Sequence, residues 1–310
     1  MAAKYNIGVV GAGAAFQMAL PALRAIGRIA IHHLDSGAPA GSEEFDYYSN
    51  VSEMLKPDVV RFAYIATPVS THHSLAILAA SRGIPTLLEK PMFMSLAEAQ
   101  SIPNGIRKFI FPAFRKRYSS PAQAIRRIHS AGRNDEATVE YTWLAPYPGD
   151  THWKICKAIS GGGVTMDIVC HMLDLIENCV GPISSIETEN VLMHSTQNTD
   201  SYLEVSGTIS GRSRYRIRAG WAAGESVQLL RFRNSIGEVL WTKRGSDPDS
   251  SLTVIEGTAS LFRECHRSEE YSPMFADFLA ADKNRDGPLP RFSDGLRNLE
   301  LISTIHKSIY

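Results

Sequence analysis

The chain has no excess charge of either sign: 32 Lys and Arg residues balance 32 Asp and Glu residues over 310 positions. A neutral surface offers no field to collect a polyanion, so nucleic acid and anionic membranes drop out as partners and a small molecule remains. Cysteine is scarce as well. Cys156, Cys170, Cys179 and Cys265 form no CxxC pair and are too few for a secreted disulfide framework, so they read as free thiols of a cytoplasmic protein. His152 ahead of Cys156, and His171 beside Cys170, lack the paired short spacings of a zinc site, and no metal is expected. No apolar run is long and uncharged enough to cross a bilayer. The sequence also lacks internal repeats, low-complexity tracts and linkers, which favours domains that pack tightly.

What is present, up to about residue 115, is an alternation. Apolar, β-branched runs, "YNIGVV", "RIAIHHL", "VVRFAYIAT" and "IPTLLEK", are separated by helical stretches such as "AFQMALPALRAIG" and "STHHSLAILAASRG". That is the pattern of βαβ units wound into a parallel sheet covered on both faces. Gly27 and Gly83 stand where helices should end. The first twenty residues therefore read as a strand, turn and helix rather than as a signal peptide. The texture changes after "FRKRYSSPAQAIRRIHSAG", a helix opening on Ser and Pro. From about 183 to 257 strands alternate with short polar turns. "RYRIRAGW" puts Tyr215, Ile217, Ala219 and Trp221 on one face and Arg214, Arg216 and Arg218 on the other, the mark of a half-buried antiparallel sheet. Two helical stretches close the chain. The expected architecture is α/β: a doubly wound parallel Rossmann domain over residues 1–117, then a 118–310 α/β domain with an open, mostly antiparallel sheet that binds substrate.

Four stretches carry chemistry. "GAGAAF", Gly11, Ala12, Gly13, Ala14, Ala15 and Phe16, ends the first strand where the backbone turns tightly and lets a pyrophosphate approach a helix N-terminus. Phe16 replaces the usual small third residue. Asp35 ends the second strand about 20 residues on, placed to accept hydrogen bonds from an adenosine ribose, with Ser36 beside it. "ATPVSTHH", from Ala66, and "EKP", Glu89 to Pro91, lie at the C-terminal ends of parallel strands, where ligands of such sheets bind. "GGGVTMDIVCHMLD" spaces Asp167, His171 and Asp174 onto one face of a helix. Asp174 is either a polar anchor for neighbouring backbone or a substrate contact.

In this order and at these separations, the motifs resemble the Gfo/Idh/MocA oxidoreductases, over nearly the whole chain. The resemblance implies that Lys90 reaches the site from the cofactor domain while Asp167 and His171 arrive on a helix of the second domain. It places Ala66, Thr67, Pro68 and His72 along the cofactor with Glu89 in the same wall, and Trp153, with Lys154, at the nicotinamide. The three glycines from Gly161 would then let the chain approach the cofactor. The implied activity is interconversion of a secondary alcohol and a ketone on a sugar, nucleotide-sugar or cyclitol, with NAD(P). Two other classes share the fold: glycoside hydrolases that work through transient oxidation by NAD, and dinucleotide or sugar sensors that do not turn over.

Asp35 would repel a 2′-phosphate, and no arginine follows to receive one, so NAD is expected over NADP. His171 is the candidate base in oxidation and acid in reduction. Asp167 either orients that imidazole or binds a neighbouring substrate hydroxyl, and Lys90 either stabilises the developing alkoxide or shares the proton transfer. Family habit also implies a homodimer or homotetramer, with Arg214, Arg216 and Arg218 near the interface and paired to acidic residues.

Overall fold

The first strand runs Tyr5–Val10 (β1) and is followed by the helix Ala14–Ile26 and by Ile29–His32 (β2). This computed structural model describes residues 5–32, 45–132, 135–194, 197–222, 224–245, 249–266, 268–280 and 288–310. Asp46–Tyr47 (β3), Val60–Ile65 (β4), Thr86–Leu88 (β5) and Ile110–Pro112 (β6) complete a sheet of order β3-β2-β1-β4-β5-β6. All its pairings are parallel, with Ile7 opposite Ile29 on one side and Phe62 on the other. Strands buried on both faces need apolar side chains at successive positions, which is why Val9 and Val10 are both buried. The order reverses between β1 and β4, so their C-terminal ends form the switch point at which such sheets take ligands.

The chain divides into two compact units, 1–114 with 271–299, and 115–270 with 300–310. Residues 271–299, which the sequence reading places in the 118–310 domain, group with the first unit. The reason is aromatic packing. In the helix Ser268–Leu279, Phe275 meets Tyr64 edge-on at 5.2 Å between ring centroids, and Phe278 meets Phe62 and Phe111 at 5.4 and 5.5 Å.

The second unit is built on Thr138–Pro146 (β7), Glu187–Met193 (β8), Asp200–Ile209 (β9), Ser213–Ala222 (β10), Val227–Arg233 (β11), Gly237–Arg244 (β12), Asp249–Glu256 (β13) and Ala259–His266 (β14). Their order is β14-β13-β12-β11-β7-β10-β9-β8, antiparallel except where β7 and β10 run parallel. The alternation in β10 is as expected: Tyr215, Ile217, Ala219 and Trp221 are buried, and the three arginines are exposed. The helix Ser120–Ala131, capped by the Ser119 side chain and carrying Pro121 in its first turn, lies on β12 and β13.

One expectation about apolar length does not hold. Lys157–Cys179 is long and apolar enough, by length and composition, to cross a membrane. It is interrupted by the glycines at 161–163 and mostly buried inside the unit, which is how the core helix of a folded domain passes the same test.

Candidate active site

Gly11 follows β1 with φ of 97°, and a Cβ there would come within 2.5 Å of the Ala66 carbonyl oxygen. The fold itself demands glycine at that position. Gly13 is different. Its φ is −77°, and among the described residues a Cβ would meet no atom within 4 Å, so none of them requires a glycine there. The helix that Gly13 caps has no side-chain cap and no acidic residue in its first turn, leaving N–H groups pointed at the same space. Bare backbone before an uncapped helix fits the pyrophosphate of a dinucleotide. Ala12, Ala14 and Ala15 line this turn with side chains too small to obstruct it. Phe16 points into the core and meets Phe45 edge-on at 6.0 Å, so the large third residue is accommodated by packing away from the loop. Asp35 and Ser36 lie outside the described residues.

Across the switch point, Ala66 and Thr67 are buried, and Thr67 and Thr71 share a hydroxyl hydrogen bond of 2.6 Å, with Thr71 donating to the Pro68 carbonyl. His72 sits beneath this loop with 1% exposure. Its Nε2 is 3.0 Å from the Thr67 carbonyl, and its Nδ1 is 3.1 and 3.3 Å from those of Pro91 and Met92. It thus ties the "ATPVSTHH" turn to the "EKP" turn. Glu89 accepts a 2.7 Å hydrogen bond from the Tyr64 hydroxyl, and its other oxygen accepts from the Lys90 N–H at 3.2 Å. Lys90 is half-buried, and its peptide bond to Pro91 is cis.

Burial pushes the His72 imidazole down to about 4, against the contrary pull of its three carbonyls. An unfolded chain binds that proton near 6.5, so between these values the unfolded state holds more protons than the native one. Stability therefore falls as pH drops from about 6.5 towards 4, by about 3 kcal/mol in total from this group. Denaturant titrations across that range should show the slope, and His72→Gln, although less stable at neutral pH, should lose this part of it.

In the second unit each of the three glycines has a reason inside the protein. Gly161 ends the helix Lys157–Ser160 in the left-handed region, with φ of 77°. A Cβ on Gly162 would press on Met166 and His306, and one on Gly163 would overlap the Asp200 carbonyl oxygen. Close approach to a cofactor is not needed to explain them. A π-helical turn, Thr165–Val169, then leads into the helix Cys170–Cys179. The regular face expected for Asp167, His171 and Asp174 is interrupted by this wider turn, and the three side chains find three different neighbours. Asp167 is gripped by Lys154, whose Nζ lies 2.9 and 3.0 Å from its two oxygens, and accepts from the Trp221 indole N–H at 3.4 Å. His171 is buried and stacks on Trp143 with ring centroids 5.7 Å apart and planes at 20°. Asp174 is buried against Arg117, which donates from Nε and Nη2 at 2.6 to 3.0 Å. Its anchor is that guanidinium, and it belongs to the core.

Trp153 stands in a single turn, Trp153–Ile155, stacked on His152 at 5.7 Å. Burial and the Lys154 charge push the His152 imidazole down. Sequence reasoning did not single out Trp143, the Trp221 to Asp167 bond or Asp200. Trp143 lies opposite Ala219 on the parallel neighbours β7 and β10, and Trp221 opposite Ala145, a register that no short-range sequence signal announces. Among the described residues no group of three or more His, Cys, Asp or Glu could hold a metal ion.

Residues 5–108 match the oxidoreductase family with an NAD-binding Rossmann fold, GFO/IDH/MocA, and residues 123–237 match the GFO/IDH/MocA C-terminal domain. The chain belongs to this family. Its first unit is the NAD-binding Rossmann fold of the GFO/IDH/MocA oxidoreductases, and the Gly11 to Phe16 turn fits NAD on the geometry above. A levoglucosan dehydrogenase of Pseudarthrobacter phenanthrenivorans is 25% identical over 248 residues, 75% of this chain and 63% of that protein. An oxidoreductase of Formosa agariphila is 25% identical over 189 residues, 57% of each chain. The chain thus matches less than two thirds of the length of these relatives. Among solved structures, levoglucosan dehydrogenase in complex with NADH and L-sorbose superposes with a TM-score of 0.80 at 18% identity, over 99% of this chain and 97% of that one. An aldose-aldose oxidoreductase from Caulobacter crescentus complexed with glycerol gives 0.81 at 17% identity, over 99% and 97%. At these identities the likeness concerns the fold of this GFO/IDH/MocA member.

Proposed function

We propose that the protein is an NAD-dependent dehydrogenase or reductase that interconverts a secondary alcohol and a ketone on a sugar, nucleotide-sugar or cyclitol. The observation that carries this reading is the surroundings of His171: an imidazole held flat against Trp143, on the same segment as a carboxylate that a lysine and an indole hold in place. An aromatic wall beside fixed donors and acceptors suits a ring bearing several hydroxyls. Relatives named for levoglucosan and aldose chemistry support the same class. The Gly11 to Phe16 turn would hold NAD, which when bound would supply the two-electron acceptor or donor for the carbinol carbon. His171 takes the hydroxyl proton in oxidation and gives it back in reduction. Lys90 stabilises the alkoxide as it develops. Asp167, already bonded to Lys154, would serve a neighbouring substrate hydroxyl. Purified protein given NAD and a panel of sugars and cyclitols should change absorbance at the reduced-nicotinamide band. Sugar release without net change would instead mean hydrolysis through transient oxidation, and no change with tight binding a sensor.

NAD is the preferred form. Asp35 would repel a 2′-phosphate and bond the free 2′-hydroxyl. The ratio of kcat/KM for the two cofactors should favour NAD and narrow in Asp35→Ala; equal or better use of NADP by the unaltered protein would contradict this.

The protein also assembles as a homodimer or homotetramer through the open face of the second sheet. Arg216 and Arg218 have acidic partners within the chain, Glu189 at 3.9 Å and Glu204 at 3.4 Å, so these two charges do not depend on a second copy for compensation. The support is apolar: Leu229, Ile255 and Phe262 are exposed on the same face, Phe262 at 63%. Light scattering at micromolar concentration should give a multiple of the chain mass, and a strictly monomeric mass would overturn the assembly.

A further inference from the structure

We infer that Asp200 is a positioning residue that sets the geometry of Asp167 and His171 by holding the glycine loop and the π turn that follows it. The inference rests on the functional reading above for what those two residues do. Asp200 opens β9 with no exposed surface, and no motif includes it. Its Oδ1 accepts from the Gly163 N–H and from the Tyr310 hydroxyl, both at 2.9 Å. Its Oδ2 accepts from the Thr165 N–H at 2.6 Å and from the Thr165 hydroxyl at 2.7 Å. The Asp200 N–H in turn donates to the Tyr310 oxygen at 3.1 Å.

The π turn has no side-chain cap of its own, since Val164 stands at its start. Asp200 supplies one from another strand, meeting two of the N–H groups that a helix start leaves without partners. The effect reaches the site in one further step. The Gly163 carbonyl accepts from the Asp167 N–H at 3.0 Å, so two hydrogen bonds in series join the buried carboxylate to the backbone of Asp167. A π turn is a rare conformation that a helix keeps only when its surroundings impose it. If Thr165–Val169 relaxed to an α turn, the side chains before it would swing by about 100° relative to those after it, one residue's share of a helical turn. Asp167, inside the turn, would then shift relative to Lys154 and Trp221, and its placement against His171 would change.

The test uses the full-length protein, comparing wild type with Asp200→Asn, which keeps the shape and removes the charge, and with Thr165→Val, which removes a single donor. Histidine side-chain NMR on ¹⁵N-labelled protein reads the His171 ring directly, with its signals assigned through His171→Gln, and needs no substrate. NADH affinity is measured by fluorescence and kcat with the sugar on which the wild type is most active. In Asp200→Asn the His171 signals should move and kcat should fall about 10- to 100-fold, the scale of a small misplacement of reacting groups, with NADH affinity unchanged. Thr165→Val should move both in the same direction by less. A folded Asp200→Asn protein with unchanged His171 signals and unchanged kcat would overturn the inference, and if that variant does not fold, unchanged values in Thr165→Val would do so. A wild type that turns over no sugar or cyclitol would sink the functional reading while leaving the NMR comparison to decide this one.

Discussion

Replacing His171 by Ala should lower kcat by about 10²-fold or more while cofactor affinity is largely kept. The imidazole is the group that would exchange a proton with the substrate oxygen, and nothing else on its segment replaces it: Asp167 is committed to Lys154 and Trp221, and Asp174 to Arg117. The affinity should survive because His171 belongs to the second unit, whereas the Gly11 to Phe16 turn that fits the dinucleotide belongs to the first. Because His171 is buried against Trp143, truncation also leaves a hole, so His171→Gln is the fairer comparison, filling the space without a proton to exchange near neutrality. On the role proposed for Lys90, Lys90→Met should cost a similar factor in kcat, since a developing alkoxide would lose its cation. Steady-state kinetics and NADH fluorescence titration on the same preparations separate the two effects. A His171→Ala protein that turned over a sugar or cyclitol at the wild-type rate across the pH range would remove this residue from the reaction.

The second large effect is on stability. Asp174→Ala should cost about 3 to 5 kcal/mol, because it strips the carboxylate from a guanidinium that the fold has already taken out of water. The Arg117 and Asp174 side chains are only 7% and 2% exposed, so solvent cannot make up for the loss. The cost should not reflect the worth of the pair itself. Replacing both partners together, Arg117→Met with Asp174→Leu, should recover most of the stability, since two apolar side chains carry no desolvation penalty. Denaturant midpoints of the wild type, both single variants and the double variant give the coupling directly. A loss below about 1 kcal/mol in Asp174→Ala would mean that the pair is solvated in solution.

The parts of this protein that were legible in its sequence are those that repeat at short range. The continuous apolar runs marked four of the six parallel strands, and the two-residue period of β10 told which face is buried residue by residue. The end of β1 was readable because Gly11 is required by backbone geometry wherever that turn occurs. What could not be read depends on contacts between distant residues. Lys154 finds Asp167 thirteen positions on, Arg117 finds Asp174, and Asp200 finds Gly163 and Tyr310, at separations that match no helical or strand period. The π turn escaped for a related reason, since a spacing of four between Asp167 and His171 presumes a regular helix. The return of residues 271–299 to the first unit was hidden because Phe275 and Phe278 look alike whichever sheet they cover.

The central claim is that hydride passes between a carbinol carbon and the nicotinamide of bound NAD. The most direct measurement gives the protein NAD and a sugar or cyclitol substrate deuterated at the carbon to be oxidised, then reads the reduced cofactor by mass spectrometry. One deuterium is expected in the NADH formed, with none appearing in solvent, and the same label lost from the ketone product. NADH formed without the label, or ketone formed with no NADH at all, would contradict it.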